Sequence, residues 1–148
     1  MIIVNMNRIL LIEDDGFMTK VLKDALIRQK YEVICAYSCA SATGLWEKYD
    51  GQIDCIILDL NINPDGLDQV NSSKYFPIHG ILVLNEICNG KNPDETKKIW
   101  NKTVIFSRYT DILREKKSDF GNYNCLEILP KTGISITILI ERVKQILQ

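Results

Sequence analysis

Short apolar stretches alternate along the chain with longer segments in which apolar residues recur every three or four positions. Short runs of apolar and β-branched residues are typical of strands buried in a sheet, whereas the longer period is typical of amphipathic helices. Strands that alternate with helices form parallel sheets covered on both faces. The pattern therefore predicts a doubly wound, five-stranded α/β fold. The predicted strands are residues 8–12, 31–37, 55–60, 103–107 and 126–129.

Six helices are predicted between and after these strands. The first has apolar residues at helical spacing, from Phe17 to Leu26. The second follows two serines, Ser38 and Ser41, either of which can cap a helix N-terminus. The predicted helices are residues 16–29, 39–49, 81–88, 94–100, 111–117 and 134–147.

The stretch from residue 61 to residue 80 lacks a periodic pattern. Its first part, Asn63-Pro64-Asp65-Gly66, is a turn signal. Its last part contains Phe76-Pro77, where a helix cannot continue. We therefore predict one long loop here, with His79 as a loop residue.

Composition narrows the range of functions. The chain has 148 residues, 46% of them hydrophobic, and a formal net charge of −1, which suits a single domain over residues 1–148 and gives no general attraction to nucleic acid or membranes. Five cysteines without CxxC spacing and a single histidine make a zinc site improbable, and reduced thiols are expected. No signal-peptide core or membrane-spanning apolar run is present. We expect a cytoplasmic protein.

Polar side chains follow four of the five predicted strands. Glu13 and Asp14 follow the first, Asp59 lies at the carboxyl end of the third, Ser107 ends the fourth and Lys131 comes soon after the fifth. Ligands of open α/β sheets bind outside the carboxyl ends of the strands. Converging carboxylates repel one another unless a cation lies among them, and Mg²⁺ prefers such oxygen ligands. The set indicates transfer of a phosphoryl group onto a carboxylate.

These residues resemble the motifs of the receiver domain of bacterial two-component response regulators. An acidic pair, a phosphoacceptor aspartate, a hydroxyl and a lysine follow the same four strands in that family. The resemblance extends from Arg8 to the last helix. It implies a flavodoxin-like sheet with strand order 2-1-3-4-5.

The resemblance also assigns roles. Asp59 would accept phosphate from a sensor histidine kinase, a phosphotransfer protein or a small phosphodonor. Mg²⁺ would bind Asp14 directly, Glu13 through water, and the backbone carbonyl of Asn61. Lys131 would pair with Asp59 or its phosphate. The remaining residue, Ser107, would follow the phosphate and signal to a downstream protein partner.

Several departures from the family pattern concern the loop, the switch and the residues beside the lysine. An insertion of about fourteen residues, at about 64–79, delays the glycine that starts the third family helix to Gly80. It could close over Asp59 as a lid. Arg108 follows the hydroxyl where a small residue is usual, and Ile128 replaces the aromatic switch residue. Pro130 precedes the lysine where the family has a proline after it, and Thr132 takes that following position.

Alternative functions remain open. A pseudo-receiver would bind partners without phosphorylation, which Arg108 and Ile128 favour. A phosphatase of the haloacid dehalogenase type would need a second acid two residues after Asp59, where Asn61 stands. A receiver accepts phosphate and slowly hydrolyses it, so we do not expect a turnover enzyme.

Overall fold

Five parallel strands form the centre of the structure, a computed structural model that describes residues 5–49, 51–116, 127–131 and 136–148. The strand order is β2-β1-β3-β4-β5, and every neighbouring pair is parallel. Both the fold class and the strand order predicted from the sequence are confirmed. The strands are β1 Arg8–Ile12, β2 Glu32–Ala36, β3 Cys55–Leu58, β4 Thr103–Ser107 and β5 Glu127–Pro130.

Helices cover both faces of the sheet. Most begin and end within one or two residues of the predicted bounds, while the predicted positions 117, 126, 134 and 135, and Thr132, lie outside the described residues. A 3₁₀ helix, His79–Ile81, leads into α4. The helices are α1 Gly16–Arg28, α2 Cys39–Lys48, α3 Gln69–Lys74, α4 Leu82–Ile87, α5 Pro93–Asn101, α6 Thr110–Glu115 and α7 Ile136–Leu147.

The sheet separates two hydrophobic cores. Alternate residues of a strand face opposite sides, so Leu11 packs against α1 and α7, while Leu10 packs against the helices of the other face. On α1, Leu22 and Leu26 are buried, as the helical spacing predicts. Phe17 was wrongly grouped with them, because it lies on the outer side of the first turn and is 77% exposed.

The prediction of one long loop over residues 61–80 is wrong, because this stretch contains the helix α3. The Asp68 side chain caps this helix by accepting a hydrogen bond from the Asn71 backbone N–H at 2.8 Å. The helix ends before Phe76-Pro77, as predicted. None of its residues is buried. The hydrophobic pattern therefore gave no sign of it, and only the capping aspartate could have.

The first part of the inserted segment is attached to the first turn of α2. The backbone N–H groups of Cys39 and Ala40 donate to the carbonyl oxygens of Asn63 and Asp65, at 3.0 and 2.7 Å. Gly66 has a φ of +93°, and a Cβ there would come within 2.8 Å of the Ala40 Cβ. The segment therefore leaves β3 towards α2. That it forms part of a single domain over residues 1–148 stays a prediction.

We predict that Gly80→Ala destabilises the protein by about 1–3 kcal/mol, because a Cβ there overpacks the end of β3. It would lie 2.6 Å from the backbone oxygens of both Asp59 and Leu60. Gly44→Ala is the control. A Cβ at this position of α2 would meet open space, so alanine should stabilise the protein by about 0.5–1 kcal/mol. Urea unfolding measures both. Equal or greater stability of Gly80→Ala would contradict the close approach.

Candidate functional site

Three carboxylates meet at the carboxyl ends of β1 and β3. The backbone N–H of Asp59 donates to the carbonyl oxygen of Ile12 at 3.0 Å, which holds the end of β3 beside the β1 turn. As a result, ligand oxygens of Glu13, Asp14 and Asp59 all lie within 4.8 Å of one another. Glu13 and Asp59 are buried, whereas Asp14 is exposed. The structure thus brings together the acids that the sequence placed at one edge of the sheet.

Lys131 joins two of these carboxylates. Its Nζ lies 2.7 Å from Glu13 Oε2 and 2.9 Å from Asp59 Oδ2. Its backbone N–H donates to the Ser107 carbonyl at 3.0 Å, so the pairing of β4 with β5 carries the lysine to the strand ends. The other Asp59 oxygen, Oδ1, accepts from the Leu60 N–H at 2.7 Å. Asp59 is therefore fixed through both oxygens.

The cluster changes the acidity of its members. Burial and the Asp59 charge raise the pKa of Glu13 to about 7, against the opposing effect of Lys131. The same two causes raise the pKa of Asp14. Burial lowers the pKa of Lys131, but the charges of Asp59 and Glu13 outweigh it, and the net shift is upward. The cluster is an electrostatically crowded anionic site held together by one ammonium group.

A cleft of about 180 Å³ opens onto the cluster, and Asn61 and Arg108 lie in its wall. Ser107 is not among the lining residues, and its buried Oγ accepts from the Tyr109 backbone N–H at 3.2 Å. Sequence reasoning did not find Met18 or Tyr109; adjacency to the motif positions is the signal that could have found Tyr109. The cleft, called the acidic cleft below, is lined by Glu13, Asp14, Asp15, Met18, Asp59, Asn61, Arg108, Tyr109 and Lys131.

No protein-family model and no curated protein matches the chain. Solved structures match nearly its whole length. A response regulator receiver domain protein from Clostridium thermocellum is 17% identical, with a TM-score of 0.67 over 96% of this chain and 94% of that chain. The chain has the fold of a response regulator receiver domain.

Two further receiver structures carry more sequence similarity. The receiver domain of the hybrid histidine kinase CckA is 26% identical, with a TM-score of 0.56 over 96% of this chain and 100% of that chain. The response regulator protein TrrA from Thermotoga maritima, solved in complex with Mg(2+)-BeF, is 23% identical, with a TM-score of 0.63 over 96% and 100%. The resemblance to receiver domains stated from the sequence is confirmed at the level of the fold.

In this receiver fold the inserted segment does not lie over Asp59. None of the described residues 62–80 lines the acidic cleft. They form instead a neighbouring cleft of about 530 Å³, called the second cleft below, which shares Asp14 and Asn61 with the first. The segment thus makes a side wall next to Asp14, in place of the expected lid. The second cleft is lined by Asp14, Asn61, Ile62, Asn63, Pro64, Ser72, Ser73, Phe76 and His79.

The prediction that His79 is a loop residue is wrong. It begins the 3₁₀ helix before α4 and is only 2% exposed. Its Nε2 is within hydrogen-bond distance of the Ile62 carbonyl oxygen. The imidazole thereby joins the two ends of the inserted segment.

The described part of the chain contains one cluster of side chains that could hold a metal ion. There, the acidic trio is the one group of three or more His, Cys, Asp or Glu residues positioned to hold an ion. Cys35, Cys39, Cys55 and Cys88 are free thiols. Burial raises the pKa of Cys55 to about 12 and that of Cys39 to about 11. Among the described helices, none has the length and apolar character needed to span a bilayer.

We predict that Glu13→Gln makes stability less dependent on pH. The folded protein holds the Glu13 proton up to about pH 7, whereas the ordinary pKa is 4.5. Between these values the folded state binds more protons than the unfolded state, so the parent loses stability as pH rises. Glutamine cannot ionise. In EDTA, the free energy of unfolding of the variant should rise relative to that of the parent by on the order of 2–3 kcal/mol between about pH 5 and about pH 8.

Urea unfolding across this pH range measures the difference between the two proteins. Glu95→Gln serves as the control, because this carboxylate is exposed on α5, far along the chain from the cluster. A stability difference between Glu13→Gln and the parent that stays constant with pH would contradict the raised pKa.

Proposed function

We propose that this chain is a response-regulator receiver that accepts a phosphoryl group on Asp59 in a Mg²⁺-dependent phosphorelay and signals through altered binding of a protein partner. The observation that carries the proposal is the placement of Asp59. Its carboxylate is buried at the end of β3, lies 2.9 Å from Lys131 Nζ and faces an open cleft. A structural ion pair alone would not need the exposed Asp14 beside it.

Asp59 acts as the nucleophile. One of its carboxylate oxygens forms a bond to phosphorus, and the bond from phosphorus to the donor breaks. With a phosphohistidine of a kinase or phosphotransfer protein, the P–N bond breaks and the imidazole leaves with its electron pair. With a small acyl phosphate, a P–O bond breaks and a carboxylate leaves. The hydrogen bond from the Leu60 N–H to Oδ1 orients the group for attack.

The donor set fits Mg²⁺. Asp14 and Asp59 supply carboxylate oxygens within 4.8 Å of each other, and Asn61 lines the same cleft, from which its backbone carbonyl would complete the protein ligands. Glu13 would act through water, because Lys131 already occupies its Oε2. When bound, Mg²⁺ supplies positive charge that offsets the charge of the phosphoryl oxygens.

Lys131 provides the second positive charge. In the structure the Lys131 ammonium contacts both Glu13 and Asp59. After phosphorylation this ammonium would pair with a phosphoryl oxygen through a charge-assisted hydrogen bond. Ser107 would exchange its bond to the Tyr109 N–H for one to the phosphate, and this rearrangement of the loop after β4 would alter partner binding.

The remaining assignments belong to the same proposal. The phosphodonor is a sensor histidine kinase or a phosphotransfer protein, and the output is a downstream protein partner in the cytoplasm. We do not propose a turnover enzyme: the chain would accept the phosphoryl group and slowly hydrolyse its own acyl phosphate. The small net charge of −1 gives no reason to add a nucleic-acid or membrane partner.

We predict that Arg108→Ala shortens the lifetime of the phosphorylated form about three- to tenfold, because the guanidinium pairs with the phosphate and shields it from water. Arg108 is exposed and lines the acidic cleft. Arg114→Ala is the control, since Arg114 contacts Asp111 on α6 and does not line that cleft. The measurement is the half-life of the acyl phosphate after the phosphodonor has been removed. Equal half-lives in all three proteins would make Arg108 ordinary surface charge.

A pseudo-receiver is the second candidate. Ile128 is half-buried against the hydrophobic core where receivers usually carry an aromatic switch residue. A side chain without a ring cannot pass on the state of Ser107 in the usual way. In this case the acidic cluster would persist while the protein bound its partner without phosphate.

Binding of beryllofluoride, a mimic of the acyl phosphate, separates the candidates. With Mg²⁺ present, beryllofluoride should raise the Tm of the parent through preferential binding to the folded state. The gain should vanish in Asp59→Asn and fall strongly in Asp14→Ala, while Asp24→Ala, which removes an exposed acid from α1, should keep it. No Mg²⁺-dependent gain in the parent would reject the phosphoacceptor function.

A further inference from the structure

The second cleft has the dimensions of a small-molecule site. Its volume of about 530 Å³ lies within the range of about 300–1,000 Å³ that is usual for ligand pockets. Apolar walls come from Ile62, Pro64 and Phe76, and polar groups come from asparagine, serine and histidine side chains. The inserted segment supplies most of this lining. Nothing in phosphoryl transfer to Asp59 requires such a cleft.

His79 offers an acceptor without a donor. Its Nε2 faces the carbonyl oxygen of Ile62, and a carbonyl only accepts, so Nε2 carries the hydrogen. In the tautomer with its hydrogen on Nε2, the other ring nitrogen, Nδ1, is an acceptor, and it has no hydrogen-bond partner among the described residues. His79 is nevertheless buried, with only 2% of its surface exposed. A buried acceptor without a partner costs free energy, which a ligand N–H can recover.

Phe76 and Asp14 define the charge of the ligand. The Phe76 ring is 63% exposed and stacks on the imidazole of His79, with centroids 5.9 Å apart and planes at 9°. An exposed aromatic face attracts cations. The Asp14 carboxylate is the one charged side chain in the described lining, which contains no lysine or arginine. Ring, carboxylate and free acceptor all favour a cationic hydrogen-bond donor.

We propose that the second cleft binds a small organic cation with N–H donors, a guanidinium or a primary alkylammonium. Asp14 is its counter-ion, the Phe76 face receives its charge, and His79, which also lines the cleft, offers its Nδ1 once the bound cation makes that buried atom accessible. Because Asp14 also lines the acidic cleft, the cation and Mg²⁺ compete for one carboxylate. This competition, unlike the cation site itself, rests on the proposed function. It would make phosphorylation sensitive to the cation, and by linkage each would weaken the other equally.

The probe is butylguanidinium, titrated into the metal-free protein and followed by backbone amide NMR. Butylurea, which has nearly the same shape and no charge, is the matched ligand. Butylguanidinium should shift the amide signals of residues 61–63, 72–76, 78 and 79 with saturation, and butylurea should not. Phe76→Leu keeps an apolar side chain without the ring and should weaken binding about fivefold. Val70→Ala, at an exposed position of the inserted segment outside the cleft lining, should bind like the parent.

Several results would overturn the site. Equal binding of butylurea, or full affinity in both Phe76→Leu and Asp14→Asn, removes the cation assignment. Binding of N-acetylarginine amide but not butylguanidinium removes the free cation and assigns a polypeptide side chain. Saturating Mg²⁺ should raise the Kd of the parent, and an unchanged Kd with Mg²⁺ bound overturns the competition. Failure of Mg²⁺ to bind counts against the proposed function and leaves the cation site in place.

Discussion

Asp59→Asn is expected to abolish phosphorylation. With acetyl phosphate and Mg²⁺, the parent should gain the mass of one phosphoryl group, and the variant should gain none. An amide oxygen lacks the negative charge that forms the bond to phosphorus. The asparagine remains close in size and can still accept the Leu60 N–H bond made by Asp59 Oδ1 at 2.7 Å. Loss of labelling should therefore reflect chemistry, since the backbone at the end of β3 keeps its main contact.

Intact mass spectrometry measures this labelling, and Asp24→Asn is the matched control. Asp24 is an exposed carboxylate of α1 outside the acidic cleft, so this variant should label like the parent. Circular dichroism of Asp59→Asn checks that it folds. Undiminished labelling of Asp59→Asn would mean that another side chain accepts the phosphate. Absent labelling of the parent by any phosphodonor would favour the pseudo-receiver.

The fold could be predicted because each buried strand is recognisable from its own short apolar stretch of sequence. Strands β1, β3 and β4 are covered on both faces, so most of their residues are apolar without alternation. Polar residues follow β1 and β3 directly, and β4 ends at one. The parallel order then brought Glu13, Asp14 and Asp59 to one edge. Lys131 follows from the same logic, since its strand pairs with β4.

The parts that sequence reasoning missed depend on contacts between distant residues. The helix α3 buries none of its residues, so no apolar period revealed it. The direction of the inserted segment is set by backbone bonds from Cys39 and Ala40, which leave no mark on side-chain composition. His79 looked like an isolated polar residue, and only its bond to Ile62 explains its burial. The second cleft is a product of these three features.

Lys131→Met should cause the largest loss of stability among the cluster variants. Without the ammonium, the buried carboxylates of Glu13 and Asp59 have lost their shared counter-ion. Removal of one partner from a buried ion pair costs about 3–5 kcal/mol, and we expect this loss at about pH 8 in EDTA. Methionine keeps much of the apolar length of lysine, so lost packing contributes little. Urea unfolding gives the free energy, and Lys97→Met on the exposed face of α5 is the control.

The pH and metal dependence of this loss distinguish electrostatics from packing. Burial and the Asp59 charge already raise the pKa of Glu13 to about 7 with Lys131 present, and its removal should raise that pKa further. At about pH 5 Glu13 is protonated in both folded proteins, so the missing ammonium leaves fewer charges uncompensated and the deficit relative to the parent should shrink. Saturating Mg²⁺ should also recover part of the loss, because it supplies the missing positive charge at Asp14 and Asp59. A deficit independent of both pH and Mg²⁺ would mean that Lys131 stabilises the fold through its contacts alone, and the anionic cluster would then lose its claim to be a metal and phosphate site.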